Sequence, residues 1–260
     1  MTQIIVFIAL AGIGGMALGG LVSVIMLRKP SEKITCWMMS FAAGVMVSIV
    51  FFGLLPETLE LASVAVSIFG LVLGIVVIMA LNRIVDRIAH AREEEWGLHH
   101  THEGFYHADE FIKSPKALKS GVLLLIAIAL HNIPEGMAIG AGGTHDYRIG
   151  SLLALMIALH NIPEGMAVAA PLLAGNINRW KVLLITALCG STTLIGGFVG
   201  ILIGGVSDFA VALSLSAAGG AMLYIVFGEM IPLAAVMTKT RTASVVTLFG
   251  IIVGMFPALL

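Results

Sequence analysis

The chain has 260 residues, of which 59% are hydrophobic and only 11% charged, and its mean hydropathy is +1.05. A water-soluble domain carries about 25% charged residues, so the solvent of this chain is largely lipid. A formal net charge of −1 leaves no footprint for nucleic acid. The two cysteines, Cys36 and Cys189, are too far apart for a zinc finger and form no disulfide framework.

A bilayer core about 30 Å thick needs roughly 20 helical residues to cross it. Eight apolar runs meet that length: Ile4–Leu27, Ile34–Leu55, Leu61–Leu81, Gly121–Gly140, Ile149–Ala170, Val182–Gly204, Phe209–Ala235 and Ala243–Leu260. They are too long and too uniformly apolar for strands of a barrel, and helices satisfy their own backbone groups in lipid. The expected fold class is therefore an all-α membrane protein of eight transmembrane helices, one transmembrane domain over residues 1–260.

The first run lacks a positive leader and is followed by Arg28 and Lys29, the pattern of a retained span whose N-terminus lies outside. With eight spans, both termini are then outside. All but one of the 14 basic residues fall in the loops after spans one, three, five and seven, the exception being Arg148. Cytoplasmic loops collect Lys and Arg, so the charge count supports both the span number and the orientation.

Glycines recur four apart, as at Gly15 and Gly19 or Gly196 and Gly200. That spacing lets helix backbones approach closely in lipid, and packing is its expected role. The one long polar stretch, about residues 82–119, reads as a cytoplasmic loop. It holds His90, His99, His100, His102 and His107 among several acids, a composition suited to solvation or to weak capture of divalent ions.

The chemistry lies in a duplication. The eleven residues from Ile128 to Ala138, with His131, Asn132, Pro134 and Glu135 among them, recur unchanged from Ile157 to Ala167, 29 positions on. Both copies fall near the middle of adjacent, antiparallel spans. Side chains four apart share a helix face, so His131 with Glu135, and His160 with Glu164, each aim two ligands in one direction. Pro134 and Pro163 release the carbonyls of Leu130 and Leu159, and interrupted helices commonly build transporter sites. Asn132 and Asn161 add amide oxygens.

An ionised carboxylate at the bilayer centre costs a few kcal/mol on insertion scales. A divalent cation shared by two carboxylates and two imidazoles offsets that cost. Mixed nitrogen and oxygen ligands suit Zn2+, Fe2+, Mn2+, Co2+, Ni2+ or Cd2+; an oxygen-only site would suit Ca2+ or Mg2+. No HExxH occurs, which argues against a zinc protease, and no GxxxxGK[ST] loop for ATP. A membrane-embedded metal sensor or metalloenzyme stands as the alternative to a transporter.

At these residues the sequence resembles the ZIP (Zrt/Irt-like protein) family of divalent metal transporters, in its bacterial GufA/ZupT-like branch. The resemblance rests on the paired HNxPEG motifs and covers nearly the whole chain. It implies an inverted repeat, helices 1–3 and 6–8 about helices 4–5, which the spacing Met46–Pro56 and Met222–Pro232 echoes. It implies His131, Glu135 and Glu164 as primary metal ligands, with Met46 from the second helix. Asn132, His160 and Asn161 match a second, adjacent metal position. That position departs from the family, because Thr193 stands where the sixth helix carries an acid. Glu229 resembles a residue on the release path. Alternating access in a bacterial inner membrane, with metal moving into the cytoplasm, is the implied mechanism. A homodimer is compatible with it.

Overall fold

The fold comes from a computed structural model and is described for residues 2–28, 31–95, 115–145, 147–202, 208–238 and 241–256. Those residues are helical or in short turns, with no strand among them. Among the described residues, seven helices are long and apolar enough to cross a bilayer. We number them α1 (Thr2–Met26), α2 (Glu32–Leu61), α3 (Val64–Glu95), α4 (Pro115–His145), α5 (Tyr147–Ala174), α6 (Arg179–Leu202) and α7 (Val211–Met237). An eighth, shorter apolar helix, α8, covers Thr242–Gly254.

Both flanks of the polar stretch differ from the sequence reading, since α4 already starts at Pro115 rather than near Gly121. The apolar run of α3 ends near Asn82, but the helix continues to Glu95. Hydropathy stops there while helix propensity does not, since Ala, Arg and Glu dominate the next turns. The polar stretch thus starts as a helical extension carrying His90, while His99, His100, His102 and His107 lie outside the described residues. Pro134 and Pro163 were expected to interrupt their helices. Both instead sit inside continuous ones.

The irregular turns lie elsewhere. α1 widens into a π turn at Leu10–Gly14, α2 at Val50–Leu54 and α7 at Val226–Met230. In α2 and α7 the wide turn is followed by a proline, Pro56 or Pro232, in the next turn. A proline cannot donate to the ladder and crowds the turn before it; the bonds Leu55 N–H to Val50 O and Ile231 N–H to Val226 O skip a residue to make room. α6 breaks at Ser191, whose N–H turns back to the Leu188 carbonyl.

Glycine contacts sort the helices into two sets. α1, α4, α5 and α6 form one, and α2, α3, α7 and α8 the other. A Cβ on Gly15 would strike the Ala158 carbonyl and Asn161, and one on Gly196 would strike the Ile133 backbone. In the other set, Gly44 and Gly250 interlock α2 with α8, while Gly74 and Gly220 interlock α3 with α7. Every described glycine whose added Cβ would come within 3.0 Å of another helix has that helix in its own set. Close backbone approach is what holds helices together where lipid removes the hydrophobic drive.

Between the sets, α2 packs on α5 and α4 on α7. The core that spans both sets includes Met38, Met39 and Met46 of α2, Met166 of α5, and Met222 and Met230 of α7, all buried. Methionine is unbranched and adapts its shape, so this shared core contains pliable side chains.

Candidate metal site

The duplicated motif puts its four chemical side chains in one place. His131 and Glu135 project from α4, and His160 and Glu164 from α5. All are buried, and a ligand atom from each lies within 4.8 Å of the other three. His131 Nε2 is 3.0 Å from Glu135 Oε1 and 3.0 Å from Glu164 Oε1. His160 Nε2 is 2.6 Å from Glu135 Oε1. Glu135 thus bridges both imidazoles, and each histidine reaches the carboxylate of the opposite helix.

That arrangement follows from the local sequence. Residues four apart on a helix are stacked on one face, and equal motifs on antiparallel neighbours bring the two faces together. His160, which the family pattern groups with a second metal position, is here in contact with Glu135 and belongs to the same four-group cluster.

The second oxygens, Glu135 Oε2 and Glu164 Oε2, and the second imidazole nitrogen, His131 Nδ1, are buried without a hydrogen-bond partner. Leaving such atoms unpaired costs about 1–3 kcal/mol each. Two carboxylates and two neutral imidazoles carry a charge of −2, which a divalent cation cancels. Imidazole nitrogen with carboxylate oxygen is the donor set of zinc and its neighbours.

The remaining sequence candidates are placed differently. Met46 is fully buried on α2, in the same core as Ile128 and Ala167, but it belongs to the other helix set. Asn132 and Asn161 are fully buried, and each amide oxygen lacks a partner. Thr193 Oγ1, from α6, is also buried and unpaired. Glu229 stands apart from the cluster, half-buried in the π turn of α7, where it accepts a hydrogen bond of 2.8 Å from Asn82 Nδ2.

Sequence reasoning missed Asn82 and Tyr224. Asn82 Nδ2 also lies 3.4 Å from Tyr224 Oη, so the three residues join α3 to α7. The only linear signal was that Asn82 is the first polar residue after a long apolar run.

A bundle of apolar helices with buried acids and imidazoles facing each other across two spans defines an all-α membrane protein with a group of side chains that could hold a metal ion. The comparisons make this specific. Residues 87–259 match the model of the ZIP zinc transporter family, and the chain belongs to that family. It is a metal transporter rather than an enzyme.

Relatives extend the match over most of the chain. The chain is 33% identical to the zinc transporter ZupT of Corynebacterium glutamicum over 248 residues, 92% of this chain and 90% of that one. It is 31% identical to ZupT of Campylobacter jejuni, covering 88% of this chain and 85% of the relative. Against ZupT of an Escherichia coli strain the figure is 29%, covering 88% and 84%.

Proposed function

We propose that this protein carries zinc into the cytoplasm by alternating access, using His131, Glu135, His160 and Glu164 as the mid-membrane ligands. The four-group cluster is the observation that carries the reading. It matches a divalent cation in charge, donor type and number of buried unpaired atoms. Fe2+, Mn2+, Co2+ and Cd2+ satisfy the same donors and are expected to compete. Met46 adds a thioether from the facing helix set, and the oxygens of Asn132, Asn161 and Thr193 offer a weak, neutral second position.

The motion we infer is a shift of α1, α4, α5 and α6 against α2, α3, α7 and α8. Within each set, glycine seams lock backbone to backbone, and no described glycine makes such an approach between the sets. The metal-binding motifs are on one set and Met46 on the other, so such a shift would change which side the cation faces. The paired π turns of α2 and α7, each ahead of a proline, agree with an inverted repeat of helices 1–3 and 6–8.

Orientation rests on charge. Lys33 lies 4.9 Å above the Trp37 ring at the start of α2, and Arg179 at the start of α6 donates to the Arg28 carbonyl at the end of α1. These basic and aromatic residues suit the cytoplasmic interface. In this reading a cation released inward passes Glu229 and is then received by the polar stretch of about residues 82–119.

Purified protein in liposomes tests the proposal. External Zn2+ should enter, be competed by the other divalent ions, and respond to an imposed pH gradient only if protons are coupled. Binding without flux would identify a sensor, and outward flux from right-side-out protein an exporter.

A further inference from the structure

In both copies of the motif an asparagine follows the histidine, and each asparagine reaches a third helix. Asn161 Nδ2 lies 2.9 Å from the Ala11 carbonyl oxygen, inside the π turn of α1. Asn132 Nδ2 lies 3.5 Å from the Cys189 carbonyl oxygen, just before the break in α6. A carbonyl oxygen can only accept, so the amide atom facing it is the nitrogen, and the amide orientation follows from chemistry. Both contacts end on irregular turns, and the α5 contact is the shorter. Gly15, four residues after Ala11, leaves no room for a Cβ beside Asn161.

We propose that Asn161 is a positioning residue: its N–H clasps the π turn of α1 and fixes the rotation of α5 that aims His160 and Glu164 at the cluster. His160 precedes Asn161 and Glu164 follows it by three residues, so a small roll of α5 moves both ligand atoms together. Asn132 is the weaker counterpart on α4, because its contact is at the limit of hydrogen bonding. The inference rests on the metal-site reading of the four-group cluster. It gives the amide nitrogens a duty that the family pattern, which uses the oxygens, does not contain.

Asparagine to aspartate separates the two duties. Asn161→Asp keeps the size but presents oxygen to the Ala11 carbonyl, so the clasp is lost while a metal-binding oxygen is kept and charged. In purified, monodisperse protein, Zn2+ affinity by equilibrium dialysis should fall about tenfold or more, as for other residues that orient ligands. Stoichiometry should not rise, and Asn132→Asp should cost less. Asn161→Ala, which introduces no repulsion, should also weaken binding; a purely structural role would lower the melting temperature yet leave the affinity of the folded protein intact. Unchanged or tighter binding by Asn161→Asp, or a second bound Zn2+, would overturn the clasp. Wild type and Glu164→Gln serve as references. If wild type binds no Zn2+, the metal-site reading fails; if Glu164→Gln weakens binding and the Asn161 variants do not, only the clasp fails.

Discussion

Replacing Glu164 by Gln removes one charge and almost no volume. With both glutamates ionised, the cluster and a divalent cation sum to zero; with one glutamine, a net charge of +1 is left in the middle of the membrane. A charge at the centre of a transmembrane helix costs about 2.5–3.5 kcal/mol on insertion scales. At about 1.4 kcal/mol per tenfold in affinity, Zn2+ binding should weaken roughly a hundredfold. Glu135→Gln removes the same charge and should weaken binding by a similar factor. Zn2+ titration of detergent-purified variants and uptake into liposomes measure both effects, with helix content as the folding control. Binding within threefold of wild type in both variants, or full uptake by either, would refute the charge-matching argument.

Other expectations come from specific neighbours. Thr193→Glu restores the acid that the family pattern carries on the sixth helix, so titration should show tighter or additional metal; unchanged stoichiometry and affinity would rule out a second position there. Gly14 and Gly15 are adjacent, yet a Cβ on Gly14 meets nothing within 4 Å, while one on Gly15 falls 2.7 Å from the Ala158 carbonyl. Gly14→Ala should be neutral or stabilising by up to about 1 kcal/mol, and Gly15→Ala should cost about 1–3 kcal/mol, read as opposite shifts in melting temperature. Asn176, at φ 65°, closes α5: its N–H donates to the Leu173 carbonyl and the Ile177 N–H to that of Leu172. Asn176→Gly should be tolerated, whereas Asn176→Val should cost about 1–2 kcal/mol of thermal stability.

The sequence by itself determined the solvent, the helical class, most span positions and the four side chains that meet in the cluster. Hydropathy sets membrane length, and a repeated i, i+4 pair must face one way on a helix, so His131, Glu135, His160 and Glu164 could be named before any fold was known. It did not determine where the helices are irregular. Pro134 and Pro163 looked like interruptions, yet both lie inside continuous helices, and the wide turns fall at Leu10–Gly14, Val50–Leu54 and Val226–Met230. Nor could it divide the helices into two sets, since glycines four apart state that a close contact exists but not with which helix. The reach of Asn161 to Ala11, and of Asn82 to Glu229, spans 150 and 147 residues. Such contacts carry no local periodicity, and only the packed bundle decides them, because a buried amide takes whichever carbonyl or carboxylate the third helix presents.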